Sequence, residues 1–127
     1  MNQIDALTRL LKEEPNLELA VLVGSRALGT STPQSDWDIA IRWKKHINGL
    51  MRLEYSEALK HKIAKTVASH QDQIDLIDIT TARLAMRAVI AEEGTMLKGD
   101  DTLAWSHFLT QTWAELEDYY WRKHHAA

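Results

Sequence analysis

The chain of 127 residues has no cysteine, so disulfide stapling, thiolate metal sites and cysteine nucleophiles are all excluded. It has no apolar run of the length needed to cross a bilayer, and its first residues, Met1 to Asp5, lack the basic-then-apolar pattern of a leader. The expectation is a cytoplasmic protein with no membrane contact. Positive charge is also short, at 15 Lys and Arg against 18 Asp and Glu, so nothing here suits a nucleic-acid backbone and direct duplex binding is not expected. The six histidines, His46, His61, His70, His107, His124 and His125, show no zinc-like spacing. There is no internal repeat, low-complexity tract or linker-like stretch. At this length, with 45% hydrophobic and 26% charged residues, the chain reads as one globular domain over residues 1–127.

Two short patterns carry chemistry. Leu17 to Val23 is a nearly continuous apolar run, as in a strand covered on both faces, and it stops at Gly24-Ser25. Glycine permits close backbone approach, serine adds a small hydroxyl, and Arg26-Ala27-Leu28 reads as the first turn of a helix, whose amides favour phosphate oxygens. After the turn-forming stretch Thr30 to Ser35, read as a mobile surface loop, comes Asp36-Trp37-Asp38. Trp37, Ile39, Ile41 and Trp43 alternate with Asp36, Asp38, Ala40 and Arg42, which predicts a strand with both aspartates on one face. Carboxylates held so close repel one another unless neutralised, and a hard divalent ion such as Mg2+ is the natural partner. Gly24-x-x-x-x-Gly29-Thr30-Ser31 nearly fits a P-loop, but Thr30 stands where that motif needs lysine, and the P-loop reading is set aside.

The remaining chain predicts helices around these strands. Ile4, Leu7, Leu10 and Leu11 line one face of a first helix ending near Pro15 and Asn16, and one long or two shorter helices follow Asn48-Gly49. Gln73 to Ile79 reads as a third strand, on which Asp75 and Asp78 point to opposite faces, so only one can join a shared site. Residues 84–90 form a helix closed by Gly94, and Asp101 or Thr102 caps the last. That last helix is aromatic, with Trp105, Phe108, Trp113, Tyr119, Tyr120 and Trp121, a composition suited to core packing and, in part, to a protein interface.

Gly24-Ser25, ten residues from Arg26 to Ser35, then Asp36-x-Asp38 resembles the signature of the nucleotidyltransferase superfamily with the DNA polymerase β-like fold. Within it the chain is most similar to the minimal nucleotidyltransferase (MNT) antitoxins that are paired with HEPN toxins. Members often read Gly-Ser-Arg-Ala-Arg-Gly, whereas Leu28 replaces the second arginine here. The resemblance implies an α/β fold, a small mixed sheet with helices packed around it. It also selects Asp75 as the third acid, leaving Asp78 to cap the helix that follows. Asp36, Asp38 and Asp75 are then the expected catalytic and Mg2+-holding set. Gly24, Ser25 and Arg26 are the expected nucleotide contacts, with Arg26 open between a phosphate contact and a surface ion pair. The implied activity is transfer of AMP from ATP to a tyrosine of a cognate HEPN ribonuclease toxin, in a hetero-oligomer. Two rivals are a purely binding antitoxin and a small-molecule transferase of the aminoglycoside-modifying kind.

Overall fold

The computed structural model describes residues 2–126. In chain order the elements are α1 (Gln3–Lys12), β1 (Leu17–Val23), α2 (Ser25–Leu28), β2 (Trp37–Trp43), α3 (Gly49–Thr66), β3 (Ile74–Asp78), α4 (Leu84–Glu93), β4 (Thr95–Lys98) and α5 (Leu103–His125). The four strands make one sheet in the order β3-β2-β1-β4. β1 runs antiparallel to both β2 and β4, and β2 runs parallel to β3. A parallel pair needs a long crossover, which α3 supplies as a single helix of 18 residues.

Both faces of the sheet are covered, and a bulge in β1 decides which residue goes where. Leu17 pairs with Trp43 and Leu19 with Arg42, so Glu18 is the extra residue and the alternation of faces resets there. Leu17 therefore joins Ala20 and Leu22 on one face, while Leu19, Val21 and Val23 share the other. The first face packs Trp37, Ile39, Ile41 and Trp43 of β2 against Leu7 and Leu11 of α1 and Leu59 and Ile63 of α3. The second packs Ala40 against Ile90 of α4 and Phe108 of α5. The acids expected on β2 share this second face with Ala40.

Two local outcomes differ from the sequence reading and one agrees with it. Residues 95–98 form a fourth strand that went unforeseen, because four residues of mixed polarity carry little strand signal until the free edge of β1 offers them a ladder. Gly94 closes α4 as expected, at φ −72°. Its place is sterically fixed, since a Cβ there would strike the side chain of Val21 and the carbonyl of Ile90. The segment Thr30 to Ser35 is tied down rather than loose, with Thr32 N donating to Ser35 Oγ at 2.8 Å and Ser35 N donating to Thr32 O at 3.0 Å.

Helix α5 is anchored over only part of its length. Thr102 caps it by accepting from Trp105 N at 3.3 Å, and Phe108, Thr112 and Leu116 recur at four-residue spacing as its buried stripe. The Arg87 guanidinium adds a bond to Glu115 Oε1 at 3.1 Å, joining α4 to α5. Beyond Leu116 every described residue of the helix is exposed. No helix among the described residues is long and apolar enough to cross a membrane.

Candidate active site

The register of the sheet brings three expected acids to one end of β2. Asp38 lies opposite Val23 of β1 on one side and directly beside Asp75 of β3 on the other. Parallel neighbours in register present their side chains to the same face, so these two carboxylates are adjacent. Asp36 precedes β2 by one residue and shares the face of Asp38 by alternation. The electrostatics agree with this placement. The carboxyl of Asp38 is pushed above the ordinary aspartate range by burial first, then by the charge of Asp75, then by that of Asp36.

Asp78 takes a different role at the far end of the same strand. Its Oδ1 accepts from Thr80 N at 2.9 Å, capping the turn at residues 79–81, and its Oδ2 faces Arg52 Nη1 at 3.3 Å. Alternation along β3 keeps it on the face away from Asp75.

Gly24 joins the anion-cradle turn to the acids. Its backbone sits at φ 74°, ψ −159°, a conformation essentially reserved for glycine, and a Cβ built there would collide with Oδ2 of Asp38. The turn that follows is closed by Ala27 N and Leu28 N, both donating to Gly24 O at 3.1 Å. The earlier amides and the Ser25 hydroxyl are left at the start of α2, where a helix has no partners of its own to offer them. Leu28, the position lacking the second arginine, is 55% exposed.

Arg26 turns toward the loop that follows it and makes no ion pair among the described residues. Its Nη2 donates to Ser35 O at 2.8 Å and to Thr32 O at 3.4 Å, its Nε donates to Ser35 O at 3.3 Å, and its guanidinium lies 4.1 Å from the centre of the Trp37 ring. The sequence held a signal for this, an arginine and a tryptophan flanking a short polar loop. Reading Trp37 only as core concealed it.

Asp36, Asp38 and Asp75 suit a hard divalent cation in donor chemistry. All are carboxylates, they repel one another, and the most buried, Asp38, is held toward its protonated form by burial and by the other two. Among the described residues, no three such side chains close into a metal cage as they stand.

Comparison with known proteins places this arrangement. The sequence matches the family described as "Polymerase beta, Nucleotidyltransferase" over residues 5–103, a span holding the glycine-led turn and all three acids. A chain of a toxin-antitoxin crystal structure with AMP-PNP is 26% identical, with a TM-score of 0.71 over 97% of this chain and 94% of that one. A mutant MntA-HpeT toxin-antitoxin structure is likewise 26% identical, with a TM-score of 0.68 over 97% of this chain and 93% of that one. A structure of a tri-AMPylated Shewanella oneidensis HEPN toxin in complex with MNT antitoxin shares the fold at 23% identity and a TM-score of 0.65, over 95% and 90% of the two chains. No curated protein matches the sequence. From the strand order, the Gly24 turn beside Asp38 and the family match together, this chain is a member of the polymerase β nucleotidyltransferase family and a nucleotidyltransferase.

Proposed function

We propose that this protein is an antitoxin that transfers AMP from ATP to a tyrosine hydroxyl of a cognate HEPN ribonuclease toxin, with Mg2+ as the metal. The observation that carries the reading is the placement of Asp38 between the Gly24 turn and Asp75, with its carboxyl raised by burial and by both neighbouring acids. The similar chains come from toxin-antitoxin complexes, one of them holding a nucleotide analogue and one an AMPylated toxin.

Asp36, Asp38 and Asp75 would hold the divalent ions, which when bound neutralise phosphate charge and polarise the α-phosphorus. Gly24 brings backbone close to the phosphates, and Ser25 offers its hydroxyl and amide. Asp75 also stands ready to accept or align the proton of the attacking tyrosine. The tyrosine oxygen bonds to the α-phosphorus, the bond from that phosphorus to the β-bridging oxygen breaks, and pyrophosphate leaves. Bulk and negative charge added beside a ribonuclease site then oppose RNA binding.

One further observation favours a second reading, inhibition by contact alone. Trp113, Tyr119, Tyr120 and Trp121 of α5 are 40%, 51%, 54% and 62% exposed, and Trp and Tyr are preferred interface anchors. Intact-mass analysis of the co-expressed partner separates the two readings. Transfer predicts an added mass of whole AMP groups with the wild-type chain and none with Asp38→Asn. An unmodified partner, with full protection of cells by Asp38→Asn, sinks the transfer reading. A small-molecule transferase would instead adenylylate an aminoglycoside with no protein partner present.

A further inference from the structure

The acids on β2 are not held equally. Asp38 lies within the strand and is gripped by two ladders, opposite Val23 and beside Asp75. Asp36 lies one residue before the strand begins, is exposed, and has no side-chain bond to another described residue. No side-chain bond holds it, yet a metal-holding carboxylate must be kept within a fraction of an ångström of its working place.

Arg26 grips the chain on both sides of that residue. Its fork takes the carbonyl of Ser35, immediately before Asp36, with Nη2 at 2.8 Å and Nε at 3.3 Å. Its flat face rests 4.1 Å from the ring centre of Trp37, immediately after Asp36, and Trp37 is only 1% exposed. Nη2 reaches Thr32 O as well, at 3.4 Å. A planar cation can bridge two carbonyls and stack on an indole at once because its donors lie in the plane and its faces are free. Nε and Nη2 are thus engaged by the loop, while Nη1 makes no bond to another described residue. Arg26 also belongs to α2, the short helix that starts at Ser25, so the same side chain ties the anion-cradle turn to the acidic strand.

We propose that Arg26 is a positioning residue that sets Asp36, and with it the separation of the carboxylates from the Gly24-Ser25 turn, rather than a ligand of the nucleotide. The proposal rests on Asp36 and Asp38 being the cation-holding pair. It explains why a loop of turn-forming residues is fastened where its composition suggests freedom.

The test uses the full chain without nucleotide, with Mn2+ as the probe and hydrogen exchange as a second readout. Arg26→Gln removes the fork and the charge. Arg26→Lys keeps a cation over Trp37 and one donor, and guards against a misfolded glutamine variant. For Arg26→Gln the expected result is Mn2+ binding weakened about tenfold, in the range of losses seen when partners that orient metal ligands are removed. Amide exchange should accelerate across residues 32–37 but not across 17–23, and Arg26→Lys should fall between. With ATP and partner present, kcat should drop more than KM for ATP rises. Arg26→Gln with wild-type Mn2+ affinity overturns the proposal, whether or not exchange changes. Weakened binding of a non-hydrolysable ATP analogue beside that result would return Arg26 to the phosphates. Asp38→Asn keeps the two failures apart. If it binds Mn2+ as the wild type does, or if the wild type takes up none, the cation-site reading falls and this proposal falls with it; if only Asp38→Asn loses Mn2+, this proposal alone falls.

Discussion

Gly24→Ala tests the join between the cradle and the acids. The substitution adds one methyl where the backbone stands at φ 74°, ψ −159°, which costs about 1–3 kcal/mol for any residue with a Cβ. The same methyl meets Oδ2 of Asp38, which must move or be pushed off its rotamer, at roughly another 1 kcal/mol. The sum is about 3 kcal/mol, a sizeable share of the roughly 6–19 kcal/mol typical for a domain of 127 residues. In melting temperature that is on the order of 10 °C. Urea unfolding followed by tryptophan fluorescence should show it, and a double-mutant cycle with Asp38→Ala should isolate the collision as a coupling of about 1 kcal/mol. Gly24→Ala within about 0.5 kcal/mol of wild type would refute the steric argument. An equal cost in both backgrounds would leave only the backbone strain.

Asp38→Asn should stabilise the cation-free protein. The folded pKa of Asp38 lies above its unfolded value, so the folded state holds the proton more tightly and this group subtracts stability as pH rises from the ordinary aspartate value through the raised one. The advantage of Asp38→Asn is therefore present at pH 7 and disappears in acid, below the ordinary aspartate value; denaturation that shows the same difference at both pH values contradicts it. Mg2+ at ten times its Kd should raise wild-type stability by about 1.4 kcal/mol and leave Asp38→Asn unmoved, as read by a thermal shift. Thr112 is fully buried with no partner for Oγ1 among the described residues, so Thr112→Val should gain about 1 kcal/mol, and a lower melting temperature would refute that. Tyr120→Ala and Trp121→Ala should each weaken binding to the partner by about 2 kcal/mol, roughly 30-fold in Kd by titration calorimetry, if they are interface anchors, with monomer stability nearly unchanged.

The two strands nearest the chemistry were legible because their periodicity is strong. Trp37, Ile39, Ile41 and Trp43 could face only one way, which puts Asp36 and Asp38 together on the other face. The apolar run of β1 and its stop at Gly24 were equally plain. β4 was not, since Thr95 to Lys98 owes its extended form to the edge of β1. The hold of Arg26 on Ser35 and Trp37 had only a weak signal, an arginine and a tryptophan flanking a polar loop: arginine reaches phosphate, carbonyl or ring with equal ease, and the three-dimensional neighbours choose among them.

By itself the sequence determined the local vocabulary: which residues form strands, where the glycine-led turn falls, and that two acids share a face. Those properties follow from steric preference and hydrophobic alternation over a few residues. Strand alternation left either Asp75 or Asp78 free to join Asp38 and only the family resemblance chose between them; tertiary structure seats Asp75 there, because strand register is a contact between segments 37 residues apart in the numbering of Asp38 and Asp75. It also decided that Gly24 must yield its Cβ position to Asp38 and that the end of α5 stands clear of the core. Such outcomes depend on which surfaces meet, and no short stretch of chain carries that information.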